Sequence, residues 1–200
     1  MGIPAAEGRR DQGARLRVPW RLLVPDLWVQ GSDAIDAASL LASGIRCLLV
    51  DIDNTLAPWG DERLDEQALE FVRRARQSGL QVVILSNARP ARRARVAKLL
   101  GVPVAPRGFK PWPGSFVRAA ALVGCRPHET AAVGDQLWTD VLGAKLAGMR
   151  AILVDPLDER EHALTRLARR VERWVLRHMA RSGWVPAEKL AARLARRSRS

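Results

Sequence analysis

The sequence predicts an α/β fold, a Rossmann-like doubly wound parallel sheet, and three observations support this prediction. Short apolar runs recur at residues 45–50, 81–85, 102–105, 130–133 and 151–154. Segments with apolar residues at helical spacing separate them, at about 64–78, 89–100, 115–123 and 139–147. Polar residues follow where several of the runs end. Strands that alternate with helices in this way form repeated βαβ units, and therefore a parallel sheet.

Each predicted element has a local reason. A short helix that ends at Gly44 precedes the first strand, with Ser32 or Asp33 as its cap. The first strand, 45–50, is almost continuously apolar, which is typical of a central strand covered on both faces. The four helices that follow end at Gly79, Gly101, Gly124 and Gly148. Glycine suits these positions because it adopts the left-handed conformation that closes a helix.

Length and composition predict one principal domain. Two hundred residues fit a disordered arm at 1–18, a domain at 19–158 and a basic amphipathic helical tail at 159–200. No apolar stretch is long enough for a membrane-spanning helix, and the first residues lack the apolar core of a signal peptide. We therefore expect a cytoplasmic protein. The two cysteines form no CxxC pair, which argues against a zinc site or a disulfide framework.

Asp51 and Asp53 directly follow the first strand and are the strongest candidates for chemistry. Side chains two residues apart on a strand point the same way, so the two carboxylates converge beyond the carboxyl edge of the sheet. Clustered carboxylates need a cation or a proton between them, which favours Mg²⁺. An isolated Asp-x-Asp is more often an acidic turn or a helix cap, so the rest of the chain has to decide.

Further polar residues follow the other strands. They are Ser86 and Asn87, then Lys110, then Asp135 and Asp140. Together these groups suit phosphoryl transfer, in which Asp51 attacks phosphorus and Asp53 protonates the leaving oxygen and later activates water. Lys110, the Ser86 hydroxyl and Mg²⁺ would stabilise the charge of the phosphoryl oxygens.

These residues, in this order, resemble the four motifs of the haloacid dehalogenase superfamily. The resemblance implies that Asp51 is the nucleophile and a metal ligand, and that Asp53 is the acid/base and offers Mg²⁺ its backbone carbonyl. It also implies phosphate binding by Ser86 and Lys110, with help from Asn87. Asp135 would be the other metal carboxylate, and Asp140 would support the metal shell.

A narrower similarity is to the YqeG family, which is related to mitochondrial and plastid phosphatidylglycerophosphate phosphatases. It rests on Leu23-Val24-Pro25-Asp26, on the first and fourth motifs, and on the segment around Pro156-Leu157. The resemblance implies a Mg²⁺-dependent phosphatase of phosphatidylglycerophosphate. The short intervals between the motifs leave no room for a cap domain, so we expect an open site suited to a bulky substrate. The alternatives are a phosphatase of nucleic-acid ends or another phosphorylated macromolecule, and a non-catalytic RNA- or ribosome-associated module.

The tail carries much of the positive charge. Residues 159–200 contain twelve Lys or Arg and four Glu, a net of +8 out of +12 for the chain. Its apolar residues recur at helical spacing: Leu164, Leu167, Ala168, Val171, Trp174, Val175 and Met179. This stripe can dock on the domain, lie on an anionic membrane surface as a peripheral anchor, or accompany nucleic-acid binding. Trp59 and Trp112 flank the predicted site, where they either pack loops or form an apolar rim.

Overall fold

A single sheet of five parallel strands organises the chain. The computed structural model describes residues 20–61, 63–106, 108–158, 174–183, 188 and 190. The strands are β1 (Leu27–Val29), β2 (Cys47–Val50), β3 (Gln81–Ile84), β4 (Thr130–Gly134) and β5 (Arg150–Val154). Their order across the sheet is β1-β5-β4-β2-β3, and every pairing is parallel. The predicted α/β fold is confirmed, and β2 lies between β4 and β3.

Helices connect the strands. They are α1 (Ala37–Ala42), α2 (Glu66–Gln77), α3 (Pro90–Leu100), α4 (Pro113–Ala121) and α5 (Leu142–Leu146), with a further helix, α6, at residues 174–181. The side chain of Asp65 accepts a hydrogen bond from the Ala68 N–H at the start of α2, and Gly101 closes α3 with φ +61°. Proline starts both α3 and α4, where its missing N–H costs no helical hydrogen bond.

The core lies on both faces of the sheet. Along β2, Cys47 and Leu49 pack into one apolar cluster, whereas Leu48 and Val50 pack into the other. All four side chains are buried, as the continuous apolar run predicted. The central strand is therefore held from both sides, and the residue that follows it, Asp51, has a fixed position.

Four elements differ from the prediction. Leu27–Val29 forms β1, although no strand is predicted there. Residues 102–105 form a single bridge, between Val104 and Ile84, instead of a strand, because Pro103 has no N–H to extend the ladder. The helix predicted at 139–147 begins as a π-helical turn, Leu137–Val141, before α5. The predicted caps of α1, Ser32 and Asp33, are wrong. Its cap is Asp36, whose side chain accepts a hydrogen bond from the Ala38 N–H.

The described part of the basic tail packs on the domain. Val175, Leu176 and Met179 of α6 are buried in the same cluster as Leu23 and the β2 residue Leu49. Trp174 stays 60% exposed. Its ring lies 6.3 Å from that of Trp20 and stacks at 5.9 Å on that of His178. The other predicted stripe residues, 164, 167, 168 and 171, and the arm at 1–18 lie outside the described residues. Among the residues described, no helix has the length and apolar character needed to cross a membrane.

Candidate active site

Asp51 and Asp53 extend from the carboxyl end of the central strand. The Asp51 N–H donates to the Val133 carbonyl at 3.0 Å, which continues the pairing of β2 with β4. Ile52 between the two acids is fully buried and anchors the segment. Asp51 is 5% exposed, whereas the Asp53 side chain is 20% exposed. The first carboxylate is therefore deep in the site and the second is nearer to solvent.

The turn after Asp53 has a left-handed residue, Asn54, with φ +59°. Asparagine tolerates this region better than other side chains. The Asn54 N–H donates to the Ala57 carbonyl at 2.7 Å, and its side-chain oxygen accepts from the Asp158 N–H at 3.2 Å. These bonds fix the loop that leads to Trp59.

Lys110 is the buried cation of the site. Its Nζ lies 2.8 Å from Asp51 Oδ1 and 2.5 Å from Asp140 Oδ1, and the residue is 2% exposed. Asn87 holds the Lys110 backbone with two hydrogen bonds. The Lys110 N–H donates to Asn87 Oδ1 at 2.8 Å, and Asn87 Nδ2 donates to the Lys110 carbonyl at 3.1 Å. Asn87 thus positions Lys110, while the prediction that it helps to bind phosphate stays a prediction.

Asp135 and Asp140 come from the end of β4 and from the π-helical turn. Asp135 is fully buried and Asp140 is 3% exposed. The Asp140 Oδ2 accepts from the Gln136 N–H at 3.1 Å. A Cβ at Gly134 would overlap the Asp140 carboxylate. Glycine is therefore required at this position for Asp140 to reach Lys110.

Ser86 lies two residues beyond β3, the strand that pairs with β2 on the side away from β4. It is 2% exposed, and its Oγ accepts from the Ala88 N–H at 3.2 Å. Asp51, Ser86 and Asp135 therefore follow three adjacent strands, as predicted for ligands at the carboxyl edge of a parallel sheet. The structure brings all seven predicted site residues to this edge.

The electrostatics of the site depend on burial. Burial alone lowers the pKa of Lys110, but Asp140 and Asp51 together outweigh it and hold the pKa above its ordinary value. Burial raises the pKa of Asp140, with Lys110 opposing the shift. Burial, followed by the nearby Asp51 charge, also raises the pKa of Asp53, and Arg92 opposes that shift. A raised pKa favours the protonated form that a general acid needs.

The donor set fits a divalent cation. One carboxylate oxygen from each of Asp51, Asp135 and Asp140 lies within 4.8 Å of the others, and all three residues are buried. Lys110 contacts Asp51 and Asp140 beside this cluster. Carboxylate oxygens are the ligands that Mg²⁺ prefers in proteins. The Asp53 side chain is directed to Arg92 instead, which leaves its backbone carbonyl as the predicted ligand.

A cavity of about 800 Å³ opens onto these groups. The polar residues that line it include Asp51, Asp53, Ser86, Asn87 and Lys110. Trp59 and Phe109 also line it and are 37% and 61% exposed, so part of an aromatic rim is present. Phe109 is not among the residues predicted for the rim. Trp112 is 72% exposed but is not among the lining residues.

Arg92 is a further residue of the site that was not predicted. Its Nη2 lies 2.9 Å from Asp53 Oδ1, and its Nη1 donates to the Asp61 carbonyl. Both groups of this ion pair are less than a quarter exposed. The basic character of residues 89–100 was visible in the sequence, but the pairing across 39 positions was not. Arg92 therefore connects α3 to the loop that carries Asp53.

Comparison with known proteins adds family information. Residues 6–148 match a family model described as haloacid dehalogenase-like hydrolase. The probable phosphatase YqeG of Bacillus subtilis is 30% identical over 168 residues, which cover 84% of this chain and 98% of that protein. The phosphoserine phosphatase of Thermus thermophilus is 37% identical over 100 residues, or 44% of this chain and 39% of that protein. Among solved structures, a HAD phosphatase from Thermococcus onnurineus gives a TM-score of 0.44 at 25% identity, covering 55% of this chain and 58% of that one.

Proposed function

This chain belongs to the haloacid dehalogenase-like hydrolases and is a phosphatase, and we propose that it hydrolyses phosphomonoesters through an aspartyl-phosphate on Asp51. One observation carries the proposal. Asp51 lies at the inner end of an open cavity, 2.8 Å from the buried Lys110 ammonium, with Asp53 two residues away at the same strand end. A carboxylate nucleophile, a fixed cation and a second carboxylate are the groups that this reaction needs.

In the first step, a carboxylate oxygen of Asp51 attacks the phosphorus atom, and the bond from phosphorus to the ester oxygen breaks. Asp53 gives its proton to that oxygen, which leaves as an alcohol. Burial beside Asp51 favours the protonated Asp53, as the step requires. Lys110 and the Ser86 hydroxyl stabilise the negative charge on the equatorial oxygens.

In the second step, water attacks the same phosphorus atom and Asp53 accepts its proton. The bond to Asp51 breaks, inorganic phosphate leaves, and both carboxylates return to their initial states. The Arg92 ion pair holds Asp53 at the edge of the cavity, where water has access.

Asp51, Asp135 and Asp140 would hold the metal ion, together with the Asp53 backbone carbonyl. When bound there, Mg²⁺ neutralises charge on the phosphoryl oxygens and lowers the repulsion between them and the Asp51 nucleophile.

We propose phosphatidylglycerophosphate as the substrate. Its support is the similarity to the YqeG family, the open cavity, and the partly exposed Trp59 and Phe109 at the mouth. A lipid whose head group enters the cavity from a membrane surface would leave its acyl chains outside. The protein would then work as a peripheral membrane enzyme at the cytoplasmic face.

The test measures phosphate release from phosphatidylglycerophosphate in mixed micelles, from a 3′-phosphorylated oligonucleotide and from an aryl phosphate, each with Mg²⁺ and with EDTA. Asp51→Asn is the inactive variant, and Glu70→Gln, which changes a half-exposed carboxylate on α2 that does not line the cavity, is its matched control. We expect release from the lipid that needs Mg²⁺ and disappears only in Asp51→Asn. Release from the aryl phosphate alone would reject the lipid substrate, and full activity in Asp51→Asn would reject the mechanism.

A further inference from the structure

Three arginines at the N-terminal end of α3 face the cavity, and the proposed hydrolysis does not use them for chemistry. Arg89, Arg92 and Arg95 all line it. Arg89 immediately precedes the helix, and the other two lie within it at intervals of three residues, so the side chains form one row. With a rise of 1.5 Å per residue, the row extends about 9 Å from the first Cα to the last.

The row has room beside it. Ala88 and Ala91 also line the cavity, and their short side chains occupy little of it. Arg93, the neighbour that points away, is buried and donates to the Ala105 carbonyl. Of these four arginines, Arg93 therefore stabilises the fold and the other three line the cavity.

The cavity has two electrostatic zones. At the inner end, Asp51, Ser86 and Lys110 are each at most 5% exposed. Farther out, the Arg92 side chain is 18% exposed, and Arg89 and Arg95 are exposed. Among the residues that line the outer part of the cavity, three are arginines and one, Asp53, is acidic. Guanidinium groups in such a row can donate hydrogen bonds to the oxygens of one anion.

We propose that Arg89 and Arg95, with Arg92 between them, form a subsite for a second phosphate of the substrate. The phosphomonoester would bind at Asp51 and Lys110, and a phosphodiester in the same molecule would bind at the arginine row. Guanidinium groups suit this role because they donate paired hydrogen bonds to phosphate oxygens. The inference rests on the proposed phosphatase function and extends it, since it identifies what distinguishes the substrate from a simple phosphomonoester.

Two sources could supply this chemistry, a glycerophospholipid head group and a nucleic-acid end. The experiment therefore uses three probes: dihexanoyl phosphatidylglycerophosphate, a dinucleotide with a 3′-phosphate, and p-nitrophenyl phosphate, which has only one phosphate. The variant is Arg89→Gln/Arg95→Gln. The control is Lys98→Gln, which removes one charge from an exposed position on the same helix that does not line the cavity.

The measured quantity is the selectivity, defined as kcat/KM for a two-phosphate probe divided by kcat/KM for p-nitrophenyl phosphate. We expect the double variant to lose about tenfold to a hundredfold of this selectivity, because it loses charge-assisted hydrogen bonds to the second phosphate. The loss should be mainly in KM, and Lys98→Gln should retain the wild-type selectivity. The probe for which the wild type has the higher selectivity identifies the source of the phosphodiester.

Unchanged selectivity for both two-phosphate probes in the double variant would overturn the subsite while leaving the phosphatase intact. An equal loss in Lys98→Gln would also overturn it, because the effect would then come from the total charge of the helix. A wild type that hydrolyses none of the three probes would overturn the proposed function and the subsite with it.

Discussion

Replacing Lys110 by methionine tests how strongly burial determines the stability of the site. Lys110 contacts Asp51 and Asp140 at 2.8 and 2.5 Å, and all three side chains are at most 6% exposed. Methionine keeps a similar length but removes the charge, so two buried carboxylates lose their cation. Breaking a buried ion pair in this way costs roughly 3–5 kcal/mol.

Lys145 provides the matched comparison. Its Nζ lies 2.5 Å from Asp26 Oδ1, the same distance as in the Lys110–Asp140 pair, but the two side chains are 20% and 38% exposed. In Lys145→Met, Asp26 also keeps its hydrogen bond from the Ala151 N–H. Exposed ion pairs contribute only about 0.2–1 kcal/mol, so we expect a much smaller loss.

The assay is urea unfolding near neutral pH in EDTA. The pKa of Lys110 is above its ordinary value of 10.5, so its contribution is fully present there and is lost only as the pH rises through the folded-state pKa. We expect Lys110→Met to lose several times more free energy of unfolding than Lys145→Met. Equal losses would refute the reasoning, because distance and not burial would then govern the two contacts.

Three further predictions concern other parts of the site and the core. Gly134→Ala should destabilise the fold by about 1–3 kcal/mol and reduce phosphatase activity, because the alanine Cβ would displace the Asp140 carboxylate. An active variant with the unfolding free energy of the wild type would contradict the close approach of Asp140 to Gly134. Asp53→Asn should lose far more activity with an alkyl phosphate than with p-nitrophenyl phosphate. An alkoxide needs a proton to leave, whereas p-nitrophenolate leaves without one. Equal losses with the two substrates would exclude the proposed proton transfer to the leaving oxygen. Burial raises the pKa of the Cys47 thiol to about 12, so a thiol reagent should label it only after unfolding. The partly exposed Cys125 should react in the folded protein. Rapid labelling of both cysteines in the folded state would contradict the packing of β2.

The centre of the fold could be predicted because its signals are local. The apolar run of β2 and the two acids after it indicated a buried strand that ends at a site. The rule for parallel sheets then brought Ser86 and Asp135 to the same edge as Asp51. Lys110 was predicted from its place in the loop after the apolar run at 102–105, and the family resemblance supported it.

The missed features depend on contacts between distant residues. Leu27–Val29 is too short to show a periodic pattern, and it becomes a strand only by pairing with β5, more than 120 residues later. The buried hydrogen bond from Trp28 to Asp155, 3.0 Å long, supports this pairing. In the same way, no spacing rule predicts that Asn87 binds the backbone of Lys110 or that Arg92 pairs with Asp53.

The most direct test of the central claim is to trap the phosphorylated enzyme. The protein would be mixed with p-nitrophenyl phosphate and Mg²⁺, quenched in acid during turnover, digested and analysed by mass spectrometry. We predict one phosphoryl group on the peptide that contains Asp51, more of it in Asp53→Asn because hydrolysis is slowed, and none in Asp51→Asn. Sustained turnover in Asp51→Asn, or a phosphoryl group on a different residue, would contradict the proposal that Asp51 is the nucleophile.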